Sequence, residues 1–539
     1  MRVEGDNHQT LAVKAPLECG VLRTANRFYV RRESVMDDGR LHTRIGLQHS
    51  TKSYGFLLLF SILTAHAEPS LDLSIPSIGE SSGQYLSPEE ERRVGDTFMR
   101  SLRRSLVFVE DPIITDYLQT IGNQIASNSD APGQSFDFFV VNDPSINAFA
   151  GPGGHIAVNS GLILTTESES ELAAVIAHEA AHVTQHHIAR SIEMGERMTL
   201  PTIAALLAAV VIASRSGQSG EAGQAAIATA IAGSTQVQID FLRGNEQEAD
   251  RVGTQTLQRA GFDPRAMAGF FERMQKGTRY STGAPEFLRD HPVTESRIAD
   301  AYNHAEHFPY RQRQDSLGYY IARARLKVQT MNNPAEGVRE LSRALETGRY
   351  RSVIETRYAR VLALLRVREL ELARSEITRL LTEDPDRIAY LITRAEIEQE
   401  AGNQTAALNL YRQIQRLYPN HPAVTAFEVE ALLQTNHARE ARDLLKSFMR
   451  NRPPNPMLYK LLARAEEESG SEPTSREAVA EYLYLSGETQ TAIHELQKAQ
   501  ALPNVDFYTG SRIDARIKEL GEELAMEKER AKNGTAPPP

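Results

Sequence analysis

Pro385, Pro419 and Pro453 stand 34 residues apart, and Ala373, Ala407 and Ala441 keep the same interval. From about Arg311 onward the chain reads as helix throughout, rich in Ala, Leu, Arg and Glu. A helix pair of this length cannot bury its apolar face alone. Successive pairs must stack on one another, which commits the second half of the chain to a curved solenoid with a concave surface.

The clearest copy is AGNQTAALNLYRQIQRLYPNHP, residues 401–422. A small residue in the second helix and a closing proline resemble the tetratricopeptide repeat. SGETQTAIHELQKAQALP (486–503) repeats the second half of that copy after an insertion of about sixteen residues, expected near 469–480. Leu317–Thr347 looks like a degenerate first repeat.

The 539 residues leave room for a second domain ahead of the repeats. The net charge of −10 shows no basic excess, so nucleic acid is set aside as a partner. Cys19 is the single cysteine, which rules out an intrachain disulfide. Residues 54–67, YGFLLLFSILTAHA, follow Arg44 and Lys52 and end in Ala-x-Ala. This is the layout of a secretory signal, with cleavage expected after Ala67. The stretch before it is long for a signal, which points to translation starting at Met36 or later. Residues 68–86 read as an extended arm.

VIAHEAAHVTQHH (175–187) carries the chemistry. On a helix, residues four apart share a face. His178 and His182 can therefore offer two imidazoles to one ion, while Glu179 lies beside it as a general base. Ser168 and Glu171 form an S-x-x-E pattern that opens this helix with a capping box. His155, His186 and His187 are expected as structural, rim or supporting groups.

A third ligand must come from elsewhere. FLRGNEQEADRVGTQTLQRAGFDP (241–264) reads as a helix from near Asn245 to Gly261. Glu246 and Asp250 share one of its faces. Glu246 would complete a His₂Glu zinc site with one position open to water. Asp250 would hold a ligand histidine or polarise substrate. By itself, such a pair is equally a solvated charged face.

HEAAH followed by EQEAD (246–250) resembles the M48 family of metalloproteases. NAFAGPGGHIAVNSGLILTTESESELAAVIAHE (147–179) is similar to that family's passage from an edge strand into the metal helix, and HPVTESRI (291–298) to its His-Pro segment. The resemblance implies a mainly α chain: a zincin-like metalloprotease domain of helices plus a small β-sheet, then the solenoid. It implies one Zn²⁺ per chain and endopeptidase activity in the periplasm of a Gram-negative bacterium, and it offers His291 as a regulatory fourth ligand where its place on a loop would otherwise make it an ordinary surface histidine. It also implies unfolded or misassembled outer-membrane proteins as substrates and the β-barrel assembly machinery as partner through the repeats. The expected divisions are 1–67, 68–310 for the protease, 311–525 for the repeats and 526–539 as a disordered tail. GGHIAVNSG (153–161) is expected as an edge strand that a peptide could extend. The apolar stretch 200–233 is either a buried hairpin or a flap in peripheral contact with a membrane. A chaperone or adaptor with a latent or vestigial protease site, and a purely structural scaffold, are the rival readings.

Overall fold

The structure is a computed structural model and describes residues 33–37, 40–44, 87–194, 208, 235–278, 285–503 and 505–532. The chain divides into two compact units, 1–76 and 77–539. In the first, β1 (Glu33–Asp37) and β2 (Arg40–Arg44) form an antiparallel hairpin, and Met36 lies in β1. The apolar run 54–67 and its expected cleavage point lie outside the described residues, as do the arm 68–86 and, apart from Ala208, the stretch 200–233. No helix among the described residues is long and apolar enough to cross a membrane.

The second unit opens with α1 (Pro88–Ser105), started by Ser87 and Glu90 in a reciprocal capping box with Pro88 behind them. In α2 (Pro112–Ala126) the Asp111 carboxylate accepts from the Ile113 and Ile114 amides. Its inner face buries Ile114, Leu118, Ile121 and Ile125. Strands β3 (Asp137–Val141), β4 (Ala148–Gly151) and β5 (His155–Asn159) make a three-stranded sheet in the order β3-β5-β4, parallel at β3–β5 and antiparallel at β4–β5. His155–Asn159 is therefore the central strand. The expected edge strand is instead β4, because Gly153 and Gly154, both at positive φ, fold the chain back and pair β4 against β5.

α3 (Ser160–Thr165) leads into α4 (Glu169–Thr184), which is buried along almost its whole length. α5 (His187–Met194) follows, and α6 (Thr235–Arg259) lies against α4. Gly253 of α6 makes that approach possible, since a Cβ there would stand 3.1 Å from both the Ala177 carbonyl oxygen and the His178 amide nitrogen. The helix expected to begin near Asn245 starts by Thr235, its earlier turns carrying no apolar period to announce them. α7 (Ala266–Thr278), α8 (Glu286–Asp290) and α9 (Glu295–Glu306) complete the domain.

The solenoid begins with the pairs 317–329/334–347, 353–366/370–383, 388–400/404–417 and 422–434/438–449. Ala373, Ala407 and Ala441 are fully buried where the helices meet. Arg368, Gly402, Asn436 and Gly470, again 34 apart, all take positive φ at the turn inside a pair. The register thus runs on through Gly470 into the pair 456–468/472–485. The expected insertion near 469–480 is therefore a complete additional helix in the stack, followed by 489–500 and a last helix, Phe507–Lys532. That last helix continues past Met526 into the segment expected to be disordered, while residues 533–539 lie outside the described residues.

The repeats share a core with the protease region. Tyr319, Ala322 and Leu326 of the first repeat helix are buried with Leu118, Leu172 and Phe262. Arg325 Nε donates to Asp111 Oδ2 at 2.6 Å. At the far end, Arg100 reaches Glu523 at 2.5 Å and the Tyr484 hydroxyl at 2.9 Å.

Candidate metal centre

Ser168 caps α4 by accepting from the Glu171 amide at 3.2 Å. The expected box closes only by half. The Glu171 carboxylate takes the Glu167 amide at 2.6 Å and pairs with Arg273 rather than returning to Ser168. Midway along this helix, the neighbours His178 and Glu179 are almost wholly inaccessible, at 0% and 1% exposure.

Four side chains converge beside them. His178 Nε2 lies 3.1 Å from His182 Nε2 and 3.5 Å from Glu246 Oε2, and His182 Nε2 lies 3.4 Å from Glu246 Oε1. His291, at the end of α8, brings Nδ1 to 3.1 Å from Glu246 Oε2 and 3.3 Å from His178 Nε2. One donor atom from each of these residues falls within 4.8 Å of all the others. Three imidazole nitrogens and a carboxylate aimed at one point carry more lone pairs than ring protons can satisfy, and a divalent cation fits that donor set.

Glu179 Oε1 is buried without a hydrogen-bond partner, with His291 Nε2 at 3.5 Å. Burial raises the Glu179 pKa above the usual carboxylate range, against the pull of His291 and His178. Behind the cluster, His178 Nδ1 lies 3.0 Å from Asp250 Oδ1. Burial alone would lower the His178 pKa, but Asp250 and Glu246 outweigh it and raise it to about 10. Burial opposes ionisation of Glu246 too, yet His291, His178 and His182 hold its carboxyl well below the ordinary value. Burial lowers His182 well below the imidazole norm.

The residues singled out in the sequence thus gather as one group, with three exceptions. His155 sits on β5 with Nδ1 3.6 Å from Asp137 and is not part of the cluster. His186 is a turn residue at φ 53°. His187 packs onto His182, Nδ1 to Nδ1 at 2.9 Å.

Arg297 escaped the sequence reading, although it lies within HPVTESRI. Its Nε and Nη2 donate to the two Asp250 oxygens at 2.7 and 2.8 Å, and Nη1 lies 3.0 Å from Glu246 Oε2. Nη1 also donates to the Pro292 carbonyl at 2.8 Å. The signal that could have found it is charge: two buried carboxylates on one helix face need a cation besides any metal.

Comparison with known proteins agrees with this geometry. Residues 112–305 match the model of peptidase family M48, and residues 399–465 match a tetratricopeptide repeat. The chain is 34% identical over 469 residues to the beta-barrel assembly-enhancing protease of Yersinia pestis, covering 86% of this chain and 96% of that one. It is 34% identical over 447 residues to the protein of the same name from Escherichia coli (strain K12), covering 83% and 91%. It is 29% identical over 184 residues to the mitochondrial metalloendopeptidase OMA1 of Schizosaccharomyces pombe, covering 34% and 51%.

Proposed function

The chain belongs to peptidase family M48, a family of metalloproteases, and from that premise we propose a periplasmic zinc endopeptidase of outer-membrane protein quality control. It would degrade misassembled β-barrel proteins and assist the assembly of others. The names of the bacterial relatives support the client class, and the signal-like run 54–67 supports export. Residues 68–310 would form the protease and 311–525 the repeat region that meets the β-barrel assembly machinery.

In this reading His178, His182 and Glu246 hold the zinc. When bound, the ion would lower the pKa of a water to about 7 and polarise a peptide carbonyl. Glu179 accepts the proton of the attacking water on its unpartnered Oε1 and passes it to the leaving amine. Asp250 holds His178 from behind, and Arg297 balances Asp250 and Glu246. His291 stands at the fourth position, so the resting site is latent until the loop moves. The edge strand β4 lies beside α4, where an extended peptide could pair with it.

The observation that carries this reading is the convergence of four donor groups next to a buried glutamate whose Oε1 has no hydrogen-bond partner. Zinc content and casein cleavage of wild type and Glu179→Gln test it. Zinc in both proteins with cleavage by wild type alone is the expected result. Zinc in both with cleavage by neither would favour a chaperone or adaptor acting through the repeats.

A further inference from the structure

The ring nitrogen of His182 that faces away from the cluster has a partner of its own. His182 Nε2 points at His178 and Glu246, leaving Nδ1 to meet His187 Nδ1 at 2.9 Å. His187 Nε2 lies 3.2 Å from Glu248 Oε2, and Arg190 Nη1 donates to the same oxygen at 2.8 Å. Arg190 Nη2 also reaches Asn245 Oδ1 at 3.3 Å.

Only one proton arrangement serves this chain when His182 Nε2 is a metal ligand. His182 Nδ1–H donates to His187 Nδ1, His187 Nε2–H donates to Glu248, and Arg190 donates to Glu248 from the other side. The backbone is bent to allow it. α4 ends at Thr184, and His186 takes φ 53°, a left-handed conformation uncommon for a non-glycine residue. The bend starts α5 at His187, whose ring thereby folds back onto the face of α4 that carries His182. His187 is 3% exposed, so its ring hydrogen bonds are shielded from water.

We propose that His187, braced by Glu248 and Arg190, is a positioning residue that fixes the tautomer and ring plane of His182 for the metal. This inference rests on the zinc reading above and adds a second support, on His182, to the one that Asp250 supplies to His178. Ligand histidines whose outer hydrogen bond is removed typically lose 10–100-fold in metal affinity.

The test is zinc affinity of the full chain, measured by competition with a chromophoric chelator, alongside thermal melting of the metal-free proteins. His187→Phe keeps an aromatic ring of similar size and removes both hydrogen bonds. His187→Gln keeps an acceptor for His182 and a donor for Glu248. His182→Ala is the reference for losing a ligand. The expected result is about 10–100-fold weaker zinc binding by His187→Phe, affinity restored towards wild type by His187→Gln, and similar melting of the metal-free forms. If His187→Phe binds zinc as tightly as wild type while His182→Ala does not, His187 is packing alone and the inference fails. Wild type and His182→Ala binding zinc equally would overturn the metal reading itself, and this inference with it.

Discussion

Arg297 grips Asp250 with one edge of its guanidinium, Nε and Nη2 at 2.7 and 2.8 Å from separate carboxylate oxygens, and both side chains are under 10% exposed. This fork is what allows Asp250 to stay ionised inside a core, and Nη1, 3.0 Å from Glu246 Oε2, adds to the imidazoles that hold Glu246. Removing the cation strands Asp250 and takes one partner from Glu246. Arg297→Met should destabilise the chelator-treated chain by about 3–5 kcal/mol. Arg297→Lys should recover only part of that, because an ammonium cannot reproduce the bidentate geometry. Denaturant unfolding of the metal-free proteins measures both, and a silent Arg297→Met would mean the carboxylates are compensated elsewhere.

Glu179→Gln should leave zinc binding and folding intact, since the amide has the same shape and the carboxylate is not among the four converging donors. Turnover should fall by roughly 100-fold or more, the share that a positioned general base supplies. Peptide-cleavage rates at matched zinc content decide it. Wild-type turnover in the variant would remove Glu179 from the proton-transfer role.

Glu246→Ala should lower zinc occupancy, whereas Asp250→Asn should lower activity more than occupancy. Glu246 lies within 3.5 Å of three of the imidazole nitrogens, while Asp250 meets only the rear nitrogen of His178. Elemental analysis after dialysis separates the two. Loss of metal from Asp250→Asn alone would reverse their roles.

How much of this was legible in the sequence follows from the range of each interaction. Helical periodicity is local, so the 34-residue register and the shared faces of His178/His182 and Glu246/Asp250 could be read directly. The central position of His155–Asn159 could not, because strand order depends on β4 folding back through Gly153 and Gly154. The same limit hid Arg297, which meets Asp250 across 47 residues of chain, and the bend at His186 that aims His187. The extra helix Glu472–Leu485 looked like an insertion because a repeat template expects helices in pairs. Only the positive φ at Gly470 and Gly487 reveals that it serves as the second helix of one pair and the first of the next.

Glu428 gives the solenoid a pH response. It is 5% exposed, its Oε2 lacks a hydrogen-bond partner, and burial with Glu440 nearby raises its pKa to about 7, against the pull of Arg412 and Arg416. The folded chain therefore holds a proton that the unfolded chain has released, and stability falls as pH rises from about 4.5 to about 7, then levels off. Glu428→Gln should be neutral near pH 4 and stabilising near pH 8, on the order of 1–3 kcal/mol. Melting curves at the two pH values test the sign. Equal effects at both would show that Glu428 ionises freely.

His291→Ala addresses latency. The short helix α8, which delivers His291, is fastened near the edge strand at two points: the Phe287 amide donates to the Ile146 carbonyl at 3.0 Å, and Asn147 Nδ2 donates to Asp290 Oδ2 at 2.8 Å. The anchors fall on Ile146 and Asn147, just ahead of β4, and His291 Nδ1 lies 3.3 Å from His178 Nε2 and 3.1 Å from Glu246 Oε2. Were all three imidazoles and the carboxylate to hold the proposed ion, no position would be left for water, and cleavage would require this imidazole to withdraw. His291→Ala deletes it while His178, His182 and Glu246 remain to hold zinc. Basal casein cleavage should rise above wild type with zinc content unchanged. Asn147→Ala, which frees one anchor and leaves every donor in place, should raise it by a smaller factor. Cleavage unchanged in both, at full zinc occupancy, would leave His291 as a bystander that packs against Phe287, rather than the group that closes the site.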